Sequence, residues 1–211
     1  SYNQEATFTD QGCCGNPIGT EVTTDYDSGQ FSVLGGIGVS VSRFFGDIGI
    51  EAVKYTKDAD TDGDGEEDTA FFRSDFLLTG GAFIGDHWSA FVGYRHSTQG
   101  DGLFSEDFGY TTNGPFIGGG FSYTVAERFG LGASLAFNAL KYSEQGQVNE
   151  DVDYGGVSLQ LQCSFVGTPH AVFLRWQRFT GEESQAGLYD IEITDDYVNV
   201  GYQATFDFKT W

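Results

Sequence analysis

An acidic run in the first third of the sequence has the residue types and the spacing of a cation-binding loop. Between Asp58 and Asp68, carboxylates alternate with small residues, and a glycine stands sixth in a frame that starts at Asp58 or at Asp60. Alternating oxygen ligands around such a glycine let a backbone wrap around Ca²⁺. Neither frame has the glutamate that completes such loops, so a solvated acidic loop is the alternative. The candidate ligands are Asp58, Asp60, Asp62, Asp64 and Asp68.

A second set of charged residues stands at alternate positions of segments whose pattern is typical of β-strands. Alternation places their side chains on one face, which we expect to be the inside of a barrel. Buried charges of both signs should pair, because an unpaired buried charge is strongly destabilising. They could line or gate a narrow passage, or fill a closed polar interior, as side chains do in small barrels. These residues are Glu51, Arg73, Asp75, Arg95, Arg175 and Asp207.

The segments around these residues alternate with a period of two. In the stretch 115–138, large apolar residues such as Ile117, Phe121 and Leu135 share one parity, while glycine, serine and threonine dominate the other. This period predicts strands. Apolar residues outside and small polar residues inside are typical of a barrel surrounded by lipid. A soluble sandwich or calycin-like barrel is the alternative, but its outer face would lack the usual mixture of charges.

Nine such segments lie in residues 31–211, and short and long connections alternate between them. This meander predicts an all-β, antiparallel, up-and-down transmembrane β-barrel. Single-chain bacterial barrels have even strand numbers, so we expect a further strand within residues 1–10 and ten strands, with eight as the alternative. Residues 1–211 then form one domain, in which 1–30 are an N-terminal segment with that strand and a loop.

The hairpin repeats, the alternating connections and the aromatic end from Phe206 to Trp211 resemble small outer-membrane β-barrel proteins of Gram-negative bacteria. The resemblance is architectural and matches no single named family. It implies a location in the bacterial outer membrane, in contact with outer-membrane lipids and lipopolysaccharide. It also implies that the outer-membrane assembly machinery recognises Trp211.

Charge is distributed unevenly along the chain. The net charge of −21 argues against nucleic-acid binding, because little could neutralise phosphates. Twenty-five of the 31 Asp and Glu residues lie in five segments where Lys57 is the only basic residue, and we expect these segments to be the long outer loops. The absence of Met and of a visible signal peptide predicts an exported chain whose signal peptide was removed. The segments are 1–30, 56–70, 98–113, 143–153 and 180–196.

Cysteines and aromatic residues give weaker signals. Adjacent Cys13 and Cys14 could form a strained disulfide in an oxidising compartment, whereas Cys163 reads as a small apolar residue on the outer face. Aromatic residues near strand ends predict two interfacial girdles. They are Phe44, Phe45, Trp88, Phe129, Tyr142, Tyr154 and Trp176.

The stretch 94–98 loosely resembles the His-x-Ser pair of outer-membrane lipid A deacylases. In a strand, however, His96 and Ser97 point to opposite faces, and Thr98 occupies the aligned position. A general base must reach its nucleophile and be oriented by a third group. His87 and His170 are scattered and have no metal-binding spacing. We therefore predict that the protein is not an enzyme, with a lipid-modifying hydrolase as the minor alternative.

Two functional hypotheses of different classes remain. The first is a narrow pore for passive transport of small polar solutes or ions. The second is a closed-lumen structural or surface-binding barrel whose acidic outer loops bind cations. Neither requires a cofactor, and Ca²⁺ in the 58–68 loop would be the one exception.

Overall fold

A computed structural model describes residues 2–10, 20–57, 72–100, 110–144, 152–185 and 189–209. Side chains are described over 32–54, 72–99, 111–125, 127–143, 153–181 and 194–204. The described residues form strands and short turns, and none of them forms a helix that could cross a membrane. The strands are β1 Tyr2–Asp10, β2 Thr20–Val41, β3 Phe44–Lys57, β4 Phe72–Ile84, β5 Trp88–Gly100, β6 Tyr110–Ala126, β7 Phe129–Glu144, β8 Val152–Phe165, β9 His170–Gln185 and β10 Tyr189–Lys209.

The strands β2 to β10 form a closed barrel in which each strand is antiparallel to the next. β10 then meets β2, and these two strands run parallel over 32–40 and 201–209, which we call the seam. The predicted all-β barrel is confirmed, and nine strands close it. The expectation of antiparallel pairing throughout is wrong at the seam, and the expected count of ten is not confirmed.

β1 accounts for the difference between nine and ten. It lies between β2 and β10, antiparallel to both, and pairs with 20–28 and 189–197. Its pairing ends at a fork, where Tyr2 lies opposite Ser28 and Tyr197. A strand expected within residues 1–10 is therefore present, but it extends only one end of the barrel. Below the fork, β2 and β10 pair directly.

Two ends of the barrel differ in their connections. At the short-turn end, adjacent strands are joined through 42–43, 85–87, 127–128 and 166–169. Gly85 and Gly167 adopt positive φ angles of 71° and 80° there, which glycine tolerates without strain. At the opposite end, strands continue into segments expected to be loops: β9 reaches Gln185 and β10 begins at Tyr189. Part of the acid-rich sequence therefore belongs to strands, because backbone pairing continues past the residues in which apolar side chains alternate.

The register is strongly staggered. A path that follows paired residues once around the barrel from Val152 returns to the same strand at Ser164, twelve residues further along. Such a stagger accompanies strands that are tilted by about 45° in a barrel of this size. One residue then adds about 2.3 Å of height along the barrel axis.

Inside the barrel, five phenylalanine rings lie against glycines on the neighbouring strand. Each phenylalanine is the direct cross-strand partner of its glycine. The glycine leaves the inner wall bare, so the ring can lie against the backbone and fill a narrow interior. The pairs are Phe45–Gly81, Phe91–Gly118, Phe116–Gly93, Phe173–Gly201 and Phe179–Gly156.

The close contact between glycine and phenylalanine in these pairs predicts the effect of replacing the glycine. A Cβ at Gly118 would lie 2.5 Å from the Phe91 ring, whereas a Cβ at Gly80 would meet nothing within 4 Å. We expect Gly118→Ala to lower the free energy of unfolding by about 1–3 kcal/mol through overpacking. Gly80→Ala, the matched control, should be neutral or slightly stabilising. Denaturant titration in detergent micelles measures both, and equal effects of the two substitutions would contradict this packing.

Candidate functional site

The barrel has an inverted distribution of apolar side chains. Among the described residues, 32 large hydrophobic side chains are exposed and only eight hydrophobic residues are buried. The exposed residues form a band on the outer face. Along β6 the band runs from Pro115 to Val125, which corresponds to a height of about 23–25 Å for tilted strands. Exposed basic residues follow the last apolar positions on three strands: Lys54, Lys141 and Arg178.

The aromatic residues expected at the band edges divide into two groups. Phe44, Trp88, Phe129 and Trp176 are exposed on the outer face. The other three expectations are wrong: Phe45 lies against Gly81 on the inner wall, while Tyr142 and Tyr154 belong to a cluster inside the barrel. Their parity, which matches that of inward residues on the same strands, could have revealed this.

The first centre of charge in the interior is Asp75. Its carboxylate accepts a hydrogen bond from Arg95 Nη2, and Arg95 Nε donates to Ser97 Oγ at 3.1 Å. Arg73 Nε lies 3.0 Å from Asp75 Oδ1, within ion-pair distance, but its N–H is not aligned for a hydrogen bond. Asp75 is completely inaccessible to solvent. One carboxylate therefore lies between two guanidinium groups.

The second centre is the ion pair between Arg175 and Glu51, which are far apart in sequence. Arg175 Nη1 donates to Glu51 Oε2, and Arg175 Nε donates to Gln160 Oε1 at 2.9 Å. The guanidinium also lies 4.8 Å from the centroid of the Phe173 ring. The planar guanidinium thus engages a carboxylate, an amide and a ring at once.

An aromatic cluster lies on the long-connection side of these ion pairs. Tyr154 and Phe179 stack with centroids 5.4 Å apart, and Tyr154 donates a hydrogen bond to the buried Asp195. Arg73 lies 4.7 Å from the centroid of Tyr197, and Arg95 lies 5.5 Å from that of Phe179. Val53 and Leu140 complete the cluster. Sequence reasoning missed this part, because Asp195 fell in a segment assigned to a loop.

The charged layer is neutral overall and almost completely buried. In the described part of the chain, three arginines and three carboxylates are buried, so their formal charges cancel. Glu51, Asp75, Asp195, Val53 and Asn199 have no accessible surface at all. These five side chains are therefore packed closely by their neighbours.

Below the charged layer, the interior is open toward the short-turn end. Two cavities of about 290 Å³ and 530 Å³ share Phe91, Ser134, Gln160 and Gln162 as lining residues, and together we call them the vestibule. Arg175 lines the inner cavity, and residues of the short turns line the outer one. The vestibule therefore lies beneath the ion pairs and is lined by both polar and apolar side chains.

Among the described residues, several buried polar side-chain atoms have no hydrogen-bond partner. They include Gln177 Oε1 and Glu51 Oε1 beside the ion pairs. They also include Ser32 Oγ and both amide atoms of Asn199, which lie where β2 and β10 separate at the fork. Buried polar groups are normally satisfied, so each orphan needs a structural reason.

The structure places most of the predicted interior residues together. Glu51, Arg73, Asp75, Arg95 and Arg175 are all buried inside the barrel, while the Asp207 side chain lies outside the described part. Whether they gate a passage stays a prediction.

The predicted cation loop, comprising Asp58, Asp60, Asp62, Asp64 and Asp68, lies outside the described residues, as do Cys13, Cys14 and Trp211. Within the described ranges, no group of three or more His, Cys, Asp or Glu could hold a metal ion. Calcium binding therefore stays a prediction.

The histidines are arranged separately from one another. Ser97 is buried and bonded to Arg95, whereas the adjacent His96 is half-buried at a position of opposite parity. His87 Nδ1 lies 3.1 Å from Ser122 O, and His170 bonds to Tyr202 at the short-turn end. None of these contacts joins a histidine to a nucleophile and an orienting acid.

Comparison with models of known protein families finds no match, and comparison with curated proteins finds none either. The interior and the outer band are therefore the features of the molecule that bear on its function.

The two faces of β9 offer a matched test of the ion pairs. Arg175→Ala leaves Glu51 buried without its partner and should lower the free energy of unfolding by about 3–5 kcal/mol. Arg178 is on the outer face of the same strand, where its guanidinium Nη1 lies 3.9 Å from Asp196 Oδ2 in an exposed pair. Arg178→Ala should cost about 0–1 kcal/mol. If denaturant titration gave similar losses for both, the interior pair would not have the assigned role.

Proposed function

We propose that this chain is a closed-lumen β-barrel of a bacterial outer membrane, which anchors an acid-rich structure at the membrane surface. The observation that carries the proposal is the exposed apolar band around a neutral, ion-paired interior. A lipid-facing barrel needs apolar residues outside, whereas polar side chains can fill its lumen. Outer-membrane lipids and lipopolysaccharide would surround the band.

The dimensions of the band support this proposal. Its estimated height of about 23–25 Å is close to the apolar height of about 25 Å of outer-membrane barrels. Exposed Lys54, Lys141 and Arg178 at its edge are suited to the level of lipid headgroups. If this band faced water instead, a soluble protein would expose an unusually large apolar surface.

The filled interior supports a closed lumen. A solute would have to separate the Arg175–Glu51 and Arg95–Asp75 pairs and displace the aromatic cluster above them. Separating such pairs exposes unpaired charges in a narrow, poorly hydrated space, which is costly.

The vestibule favours the pore as a second candidate. It gives a small polar solute access from the short-turn end as far as Arg175. In that reading the ion pairs are a gate that opens to a continuous passage. The proposal also includes recognition by the outer-membrane assembly machinery. It further includes closure by ten strands in the membrane and cation binding by the acidic end.

Single-channel conductance in a planar bilayer separates the two candidates. For the closed barrel we expect no discrete steps from the inserted protein, and none from Arg95→Ala, which should lose only stability. Arg178→Ala is the control for a change of exposed charge. Heat-modifiable migration must show that each sample is folded and inserted.

Reproducible steps from the native protein, with a conductance altered by Arg95→Ala, would overturn the closed lumen in favour of the pore. Failure of the folded protein to insert into any bilayer would count against both candidates.

A further inference from the structure

The vestibule has two chemically different walls. On β5 and β6, the rings of Phe91 and Phe116 line the inner cavity and meet edge to face, with centroids 6.2 Å apart. On β8 and β9, planar amide and guanidinium groups line it, from Gln160, Arg175 and Gln177. A molecule that fits both walls needs an apolar face and a hydrogen-bonding edge.

A chain of hydrogen bonds fixes the polar wall and ends at an amide that can bond further. Arg175 Nε donates to Gln160 Oε1 at 2.9 Å, and Gln160 Nε2 donates to Gln162 Oε1 at 3.3 Å. Gln162 makes no other hydrogen bond within the described part of the chain, and it is half-buried where the two cavities meet. Its Nε2 can therefore donate to a molecule in the vestibule.

Gln177 supplies the opposite kind of hydrogen-bonding group to the inner cavity. Its Nε2 donates to Ser158 Oγ at 2.9 Å, which leaves Oε1 as an acceptor. Gln177 is 2% exposed, and its Oε1 has no partner among the described residues, whereas buried acceptors are normally satisfied. Hydroxyl groups suit both amides, because a hydroxyl can donate to Gln177 and can accept from Gln162.

Charge in the inner cavity favours a neutral ligand. The two arginines that line it, Arg95 and Arg175, already pair with Asp75 and Glu51. Asp47 also lines the cavity and adds a negative charge. An anion would have to compete with these carboxylates for the arginines, and a cation would meet both guanidinium groups.

We propose that the vestibule is a binding site for a small neutral sugar, whose ring lies against the phenylalanines and whose hydroxyl groups bond to Gln162 and Gln177. A pyranose ring has C–H groups on its faces and hydroxyl groups at its edge, so it presents both of the surfaces that the walls require. The cavities of about 290 Å³ and 530 Å³ together have the size of a small-molecule site.

This site deepens the role that the vestibule has in the second candidate function. Sugar binding requires the barrel interior but no conduction, and only the side of the membrane from which the sugar enters rests on the proposed location. A free sugar and the terminal sugar of a glycan share the chemistry that the walls recognise.

Titration of the full chain in detergent micelles tests the site, with the side-chain amide signals of the glutamines in NMR as the readout. We expect glucose to shift the signals of Gln162 and Gln177 saturably. Sorbitol has hydroxyl groups but no ring, and gluconate is an anion, so both should bind at least about threefold more weakly. Binding of maltohexaose as well as glucose would indicate the end of a glycan, and binding of glucose alone a free sugar.

A matched pair of variants separates the site from unspecific effects. Gln162→Leu removes the donor at nearly constant volume and should weaken glucose binding about three- to tenfold. Thr180→Val is a polar-to-apolar change on the outer face and should leave glucose binding unchanged. If Gln162→Leu does not fold, Gln177→Leu replaces it, with the same expected loss.

Absence of saturable shifts with glucose would overturn the sugar site. So would equal affinity for sorbitol or gluconate, or an unchanged affinity in the glutamine variants. The titration is independent of the bilayer measurement: a conducting barrel that still binds glucose would overturn only the closed lumen, and a silent barrel without glucose binding would overturn only the sugar site.

Discussion

Charge neutralisation in a narrow interior is the constraint on which the rest of this structure depends. Arg95 and Arg175 are stable inside the barrel only because Asp75 and Glu51 meet them from other strands. These ion pairs can form only if the strands between their members keep the observed register. The ion pairs in turn stabilise that register. The glycines that admit inward phenylalanine rings serve the same end, because they let a small lumen be filled without spreading the strands.

The sequence predicted the local half of this arrangement well. A period of two in strands such as β6 and β9 was sufficient to place Arg175 inside and Ile117 outside, because side-chain parity depends only on the extended backbone. The sequence could not predict which residues contact each other across strands. The contacts of Arg175 with Glu51 and of Phe91 with Gly118 depend on which strands pair and in which register. The parallel seam was equally hidden, since nothing in either strand alone records the direction of its neighbour. Tyr142 and Tyr154 show a different failure, in which strand-end position was given more weight than parity.

The character of the residues changes along the length of the same strands. β10 carries exposed Val198 and Val200 in the band, and acidic residues such as Asp190 precede them in sequence at the same parity. β1 pairs only with this acid-rich part of β2 and β10. An exposed apolar band on the same strands as acid-rich sequence supports the proposed membrane anchor with an acid-rich extension. Ion pairs and aromatic rings lie between the vestibule and the long-connection end of the strands.

The central claim is that the apolar band faces lipid, and the most direct measurement compares an arginine at two outer positions. Val92, 57% exposed, lies in the middle of the band on β5, whereas Thr180 is exposed beyond its edge on β9. In lipid vesicles, Val92→Arg should lower the free energy of unfolding by about 2–4 kcal/mol and Thr180→Arg by no more than about 1 kcal/mol. If Val92→Arg cost nothing and the protein stayed folded and monomeric in water without detergent, the band would face water and the account would be wrong.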